Sequence, residues 1–511
     1  MRANEQSLPI NGFGGLDKSG GIARNGLTRS LLNVVVREGT ARGRGGVNFD
    51  ATFSTAMVES ITALAPYVSS TLATTLLRIG STKVEKSTDA GAWSDITGTD
   101  LTGAATDRPQ WAMYRDVLYF TNSGQDRPRY WNGTGNTTEI STAPWAHAIM
   151  SYMGFLFLLN ISDDGTTFFP RTARYSEDPQ NDWTLCEGNE LNFHETQGAV
   201  VAGCVFGRTA AILKEDGIVY LRWIGGPVRF AQELAKNAPG TLAPLSAQAI
   251  GDKGCIYLGT DYELYIATTN DIVPVPPRVN DILQNDLYRT DVKNCRSCVI
   301  PDEEQYNLLF PLDSGGNTGR IQMNYRTGEF SYSTYLSHGW DAMEAVRWTF
   351  EDPFVPIGAV NTRAYALDND AVKVDEITAS TEQSVSRYYD TDWLSFTNAN
   401  EGRVVQSSAL FTGATLIFKA SPYTKCSISV AVDHQDSFKF KKTYSLRAVG
   451  NADEHVAVRY DVAPIRGEWF NVRIEFHPSA TTNPTVEMGW LHFVPQQTKQ
   501  DINRGGKINE A

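Results

Sequence analysis

The chain has 511 residues, is 41% hydrophobic and 20% charged, carries 43 Gly, and has a formal net charge of −13. It is too long for one core, since domains usually run to about 50–250 residues, so two or three domains are expected. The acidic balance excludes a protein that grips nucleic-acid phosphates over its whole surface, although an acidic wall lets a phosphate backbone slide past it. No apolar run approaches the roughly 20 residues of a membrane helix, and the opening MRANEQSLPINGFGG has no apolar h-region, so neither a membrane segment nor a secretory signal is expected.

Residues 1–55 read as an extended N-terminal arm, rich in Gly and Arg, with one short β run, LLNVVV. Arg24, Arg29, Arg37, Arg42 and Arg44 make it locally basic. The plainer reading is an arm that pairs with the next domain and closes it. The sharper one adds contact with a partner subunit or nucleic acid. Removing residues 1–50 is expected to impair assembly or docking more than blade folding.

From residue 56 to 375 the chain alternates β-rich segments with Gly, Asn, Asp and Pro turns. TLLRIGSTKVEK, VLYFT with RYW, FLFLLNISDDGTTFF, AAILKEDGIVYLRWIGG, CIYLGTDYELYIAT, YNLLFPLDSGGNTGRIQMNY and VPIGAVNTRAYALDNDAVKV each read as a hairpin. They start roughly 40–50 residues apart, the period of propeller blades, which predicts an all-β fold with a β-propeller of about six or seven blades. No WD or kelch consensus is present, and a long sandwich or irregular β domain is the alternative. In the hairpin YRDVLYFTNSGQDRPRYWNG, Tyr119, Phe120, Tyr130 and Trp131 are expected to fill space between sheets, as an outer hairpin whose NSGQD turn faces solvent or a neighbour. SAQAIGDKG and VNDILQNDLYRT are the two short helical candidates, both as connections.

Residues 376–495 change character. After a polar stretch come VVQSSALFT, ATLIFKA, CSISVAV, FKFKKTYSL, HVAVRYDV, WFNVRIEFH and TVEMGWLHFV, seven strands that predict a C-terminal β-sandwich. Residues 496–511 form a polar tail.

Catalytic signatures are missing. There is no GxxxxGK[ST] and no GxSxG; HETQG at His194 lacks the second His of a zincin motif, and the seven histidines do not cluster. Cys295-Arg-Ser-Cys298 is a lone CxxC without a second ligand pair, read as incidental thiols; no cofactor or metal is expected. SEDPQNDW (176–183) is close to the sialidase Asp box, with Gln180 in place of its Gly. That box is a structural turn, so it implies a blade corner in which Trp183 packs between strands. A non-enzyme is expected.

Several stretches resemble phage tail nozzle proteins (tail tubular, or DNA-stabilisation, proteins) of short-tailed phages. The hairpin matches through Tyr119, Phe120, Asn122, Pro128, Trp131 and Gly133, and the corner through Ser176, Pro179, Asn181 and Trp183. The longest match runs through Lys214, Ile218, Tyr220, Gly225, Gly240, Pro244, Ser246, Gly251, Leu258 and Tyr265, with Glu263 or Leu264 replacing a turn Gly. The arm and RGEWFNVRIEF (466–476) are similar to the openings and C-terminal sandwich of the same proteins.

The resemblance implies a structural virion protein in the tail, assembled in the host cytoplasm as a hexameric ring below portal and adaptor. The ring would enclose the DNA channel, retain packaged DNA and conduct it during ejection. Its implied partners are other copies of the chain, the adaptor ring, tail fibres or distal tail proteins, and genomic dsDNA in sequence-independent passage. The alternatives are a receptor- or glycan-binding propeller and a glycoside hydrolase.

Overall fold

The computed structural model describes residues 6–10 and 30–495, except 38–39, 71, 73, 185–188, 227, 276, 336–338, 350–351, 370–373, 379–380, 385–386, 391–393, 396, 399–404, 407–408, 420–423, 434, 436, 447–454, 468 and 478–484. Arg24, Arg29 and the 496–511 tail lie outside the described residues.

Seven antiparallel sheets follow one another, and their innermost strands begin at Ile61, Gln110, Trp145, Val200, Gln248, Arg296 and Trp340. Each innermost strand neighbours the next, and Trp340–Val346 packs on Ile61–Val68, so the ring is closed. The protein is a seven-bladed β-propeller. The seven hairpins read from sequence are the second and third strands of the seven blades. Tyr114–Gly133 is therefore not an outer hairpin: Val117–Thr121 and Arg129–Trp131 are the middle strands of blade 2, between Gln110–Tyr114 and Thr138–Glu139. SAQAIGDKG is not helical. A single 3-10 turn, Pro244–Ser246, leads into Gln248–Ala249, the innermost strand of blade 5. The second candidate does form a helix, Pro277–Asp286, linking blades 5 and 6.

Blade 7 has only three strands of its own before its edge: Trp340–Val346, Val355–Val360 and Arg363–Asn369. Its fourth, Gly46–Asn48, comes from the N-terminal segment and runs antiparallel to the third. Beyond it Val374–Thr378 adds in parallel through Asp375 opposite Val47. Joining the first strand of a ring to the last removes the free edge an open sheet would leave.

The N-terminal segment is also built into the sandwich. One sheet runs Val34–Arg37, Thr40–Gly43, Thr485–Pro495, Ala409–Lys419, His455–Gly467, with Gln6–Ile10 also on Thr485–Pro495. The other runs Ser30–Leu32, Tyr388–Asp390, Trp469–His477, Lys425–Val432, Lys439–Ser445. The C-terminal region gives six long strands, not seven, because VVQSSALFT and ATLIFKA join into one strand that bulges near Gly413. Alternate residues of the facing sheets meet in the core, as where Phe411 lies 5.4 Å from Phe470.

Core and interface are continuous. Phe411, Ile428 and Phe493 of the sandwich belong to the same buried cluster as Val34 and Val36 of the N-terminal segment and Tyr306, Ile321 and Phe330 of blade 6. Outer strands in most blades are short, such as Ser94–Asp95 and Thr138–Glu139. The longest among the described residues, Phe330–Tyr335 of blade 6, is the one the N-terminal segment covers, through Asn33 N–H to Tyr332 O (3.1 Å) and Val36 N–H to Ser331 Oγ (2.7 Å).

Candidate functional site

All seven innermost strands line a cavity of about 370 Å³ on the propeller axis. Its wall is mostly small or flexible side chains, including Ala63, Ser151, Gly203, Met113, Met150 and Met343. Room is short where the strands converge; a Cβ on Gly203 would meet Met150 Sδ at 2.5 Å.

Arg108 crosses one end. It leads into blade 2, yet its Nη2 donates to Asn294 Oδ1, which leads into blade 6 on nearly the opposite side of the ring. Its Nη1 donates to Asp107 O (2.6 Å) and Ala105 O (3.2 Å). Burial lowers its pKa, against the carboxylates of Asp341, Asp107 and Asp291. Gln110 also ties across the ring, donating from Nε2 to Val201 O (2.9 Å).

One basic and one acidic side chain, Arg296 and Glu344, stand on the wall, and among the described residues neither has an ion-pair partner. Arg296 is 3% exposed. Its Nε donates to Asp341 O (2.7 Å), and its Nη1 to Lys293 O (3.1 Å) and Cys295 O (3.0 Å). Its Nη2 has no partner. Burial, aided by Arg108, lowers its pKa to about 9. Glu344 is held by desolvation at about 8, with only the Ala345 N–H on Oε1 (3.0 Å) opposing the shift. At neutral pH it is therefore a neutral carboxyl, able to donate a hydrogen bond.

The second notable constellation lies where N-terminal segment, blade 7 and sandwich meet. Arg44 is fully buried. Its Nη1 and Nη2 donate to the two oxygens of Asp375 at 2.9 and 2.7 Å, and its Nε donates to Asn33 Oδ1 at 3.0 Å. Its guanidinium carbon lies 4.4 Å from the Tyr335 ring centroid. Arg387 Nε donates to Arg44 O (2.9 Å), and burial next to Arg44 lowers the Arg387 pKa to about 10. Arg44 is thus an internal staple, which removes it from the expected basic surface. Arg37 is exposed and pairs with Glu303 at 3.2 Å; Arg42 sits half-buried in the strand beside Thr485.

The predicted blade residues are packing groups on opposite faces of one sheet. Phe120 and Trp131 enter the cluster shared with blade 1, where Tyr67 meets Trp131 at 4.8 Å. Tyr119 enters the cluster shared with blade 3, together with Trp183. Period-2 alternation along the strand produces this split. The Asp-box-like corner is a self-contained turn: Ser176 Oγ donates to Asp182 O (2.6 Å), Trp183 Nε1 donates to Pro179 O (2.6 Å), and Gln180 Nε2 reaches Tyr119 OH (3.3 Å). The NSGQD turn is half-buried, since Gly124 abuts Phe168 and His147 of blade 3.

Positions of the longest family-like match are structural as well. Lys214 is fully buried and donates from Nζ to Phe193 O (2.9 Å) and Thr196 O (2.8 Å). Ser246 Oγ donates to Ala243 O (2.7 Å) and accepts from Leu258 N–H (3.0 Å). Where the match lacks its turn Gly, Tyr262 takes the left-handed conformation instead, at φ 65°. Cys295 and Cys298 enter different buried clusters, because an i,i+3 pair in extended chain points to opposite faces of the sheet. Among the described residues no group of three or more His, Cys, Asp or Glu could hold a metal.

Sequence reasoning did not single out Arg296, Glu344 or Arg108. Only the seven-fold convergence of strands brings them together, and no local motif records it.

No family model matches the chain, and no curated relative matches it. Solved structures similar to it include the PorZ component of the type-IX secretion system of Porphyromonas gingivalis, at 8% identity and TM-score 0.39, over 68% of this chain and 43% of that one. YCF48 from Cyanidioschyzon merolae matches at 10% identity and TM-score 0.36, over 64% of this chain and 99% of that one. A glycoside hydrolase family 43 arabinoxylan arabinofuranohydrolase from Bacillus subtilis matches at 10% identity and TM-score 0.22, over 76% and 95%. The chain spans less than half the length of the PorZ structure. Likenesses this distant carry no function across.

Proposed function

We propose that this chain is a non-enzymatic structural subunit of a short-tailed phage tail, assembling as a ring, six copies in the family it resembles, below portal and adaptor. The ring would hold packaged DNA and conduct it during ejection. The observation that supports this reading is the weld between propeller and sandwich. N-terminal strands enter both sandwich sheets and blade 7, and one buried cluster runs through the joint. A subunit that must keep its place against packaged DNA needs such a body, with few free sheet edges and no hinge at its main joint.

On this reading DNA passes between subunits, through the bore of the ring. The propeller's own cavity, about 370 Å³ and crossed by Arg108, is far too small for a duplex whose major groove alone is about 12 Å wide. The net charge of −13 suits a wall that DNA must slide past.

The test is negative-stain electron microscopy with a mass measurement on the purified chain, alone and mixed with portal–adaptor assemblies. Six-fold rings with an open bore, or rings that form only on the adaptor, are expected. A stable monomer or trimer that ignores the adaptor and binds host cells would overturn the reading in favour of a receptor-binding propeller.

A further inference from the structure

The wall of the axial cavity carries hydrogen-bond acceptors that the protein leaves open. Gln110 and Gln248 each spend the amide nitrogen on a backbone carbonyl, Val201 O (2.9 Å) and Ser297 O (3.0 Å), which fixes both amides and leaves each Oε1 over. Glu344 Oε1 accepts from Ala345 N–H (3.0 Å), and Oε2 accepts from nothing among the described residues. Ser151 Oγ has no partner among them either. All four side chains are half-buried and line the cavity, and none of these four free oxygens is enclosed in the interior. Arg296, the cation on this wall, is the reverse case. It donates to three backbone carbonyls, and its remaining nitrogen, Nη2, is sealed in and cannot be reached. At about 370 Å³ the space lies in the lower part of the range of small-molecule sites, roughly 300–1,000 Å³.

We propose that the axial cavity binds a small primary ammonium, whose N–H groups donate to the Glu344 carboxylate and to open oxygens of the wall, and whose apolar body lies against Trp111 and Met113. The acceptors set the chemistry. They come from blades 2, 3, 5 and 7, and an ammonium carries three donors on one atom that can turn to meet them. The carboxylate, with no basic side chain paired to it, sets the charge. Trp111 suits a cation, and Met113 beside it on the strand is adaptable apolar surface; both are half-buried on the wall. Arg296 would repel a cation, but the two stand apart. Its Nε is bound to Asp341 O, and Glu344 lies three residues further along that strand, about 10 Å at the usual rise. Arg108 crosses the end where the innermost strands begin, so the ammonium belongs towards the other end, with Glu344. Burial keeps the Glu344 carboxyl protonated at pH 7; on binding, its proton leaves for solvent and the carboxylate so formed pairs with the ammonium. The inference is independent of how the chain assembles.

The full chain would be titrated at pH 8, where the Glu344 carboxyl is about half ionised, with butylammonium and benzylammonium chloride against sodium chloride at equal ionic strength, following thermal unfolding and calorimetric binding. Crystals would be soaked in para-bromobenzylammonium and the bromine located by its anomalous signal. Saturable stabilisation by both ammonium salts and a bromine peak in the axial cavity are expected. Glu344→Gln keeps the shape and removes the charge, and should weaken binding at least tenfold. Two comparators on the parent chain need no variant: tetramethylammonium, which has no N–H, and butyrate, which has the opposite charge, should each bind at least tenfold more weakly than butylammonium. The proposal is overturned by stabilisation no greater than with sodium chloride, by bromine only elsewhere, or by parent-like affinity in Glu344→Gln. Tetramethylammonium or butyrate binding as tightly as butylammonium would overturn the ammonium assignment.

Discussion

Arg44 and Asp375 form a two-pronged ion pair, 331 positions apart in sequence, with side chains 0% and 4% exposed. The pair sits where the propeller's borrowed strand, blade 7 and the sandwich converge. Asp375 Oδ1 also accepts the N–H of Val47, so one carboxylate serves both the guanidinium and the strand it anchors.

Breaking that pair from one side leaves a buried charge, which typically costs about 3–5 kcal/mol. Arg44→Met and Asp375→Asn are each expected to destabilise the protein by that order. The double change Arg44→Met/Asp375→Leu should be milder than the sum. Urea unfolding followed by tryptophan fluorescence would measure all three, and strict additivity would contradict the coupling.

Removing residues 1–50 is expected to prevent folding, which reverses the expectation that assembly would suffer more than folding. The segment supplies blade 7's fourth strand and members of both sandwich sheets. Limited proteolysis of the truncated chain should show rapid loss of both regions. Equal protease resistance of truncated and full chains would refute this.

Gly133 and Gly135 make a matched pair. Both hold positive φ, 93° and 65°, but a Cβ at Gly133 would meet Tyr67 OH at 2.7 Å, whereas nothing lies within 4 Å of one at Gly135. Gly135→Ala should cost only the backbone strain, about 1 kcal/mol. Gly133→Ala should cost about 1–3 kcal/mol more, because Tyr67 packs on Trp131 and donates to Asn132 O (3.1 Å). Thermal unfolding of the two variants side by side reads the difference.

Glu344 gives a pH signature with a definite sign. Its folded pKa of about 8 lies above an unfolded value near 4.5, so the folded state binds more protons between those values. Stability should therefore fall as pH rises from about 5 to 8 and level off above, by at most about 1.4 kcal/mol per pH unit and less where water in the cavity screens the group. Glu344→Gln should flatten that slope and raise the melting temperature at pH 8–9 relative to the parent. An unchanged slope would show that Glu344 titrates normally.

The thiols are expected to be inert. Cys204, Cys255, Cys295, Cys298 and Cys426 are buried, and burial pushes Cys295 and Cys426 each up to about 12. A thiol reagent should modify none of these five before unfolding. Rapid native labelling of any of them, read by peptide mass, would contradict the placement.

Much of the propeller was legible because each blade advertises itself locally. A polar turn between two β-rich segments needs no knowledge of the rest of the chain, and the seven hairpins read that way are the middle strands of the seven blades. Tyr119, Phe120, Trp131 and Trp183 were legible as packing groups for the same reason. Pairings across hundreds of residues were not. Gly46–Asn48 is a three-residue strand beside a GRGG turn, and its partner lies beyond residue 360. Arg44, among other arginines in a Gly-rich segment, reads as surface charge until Asp375 is placed beside it. The axial cavity was illegible because its wall takes a few residues from each of seven distant segments.

The N-terminal stitching also has a consequence in time. Gln6–Ile10 and Thr40–Gly43 pair with Thr485–Pro495, the last strand to be synthesised among the described residues. At about 5–20 residues per second, these two strands wait on the order of half a minute to a minute and a half for that partner to leave the ribosome. Contacts so distant in sequence are slow to form. The seventh blade can close once Arg363–Asn369 has met Gly46–Asn48, but the sandwich sheet waits for Thr485–Pro495. A ribosome that stops between the two releases a ring of blades beside an incomplete sandwich, whose unpaired strands a protease can recognise.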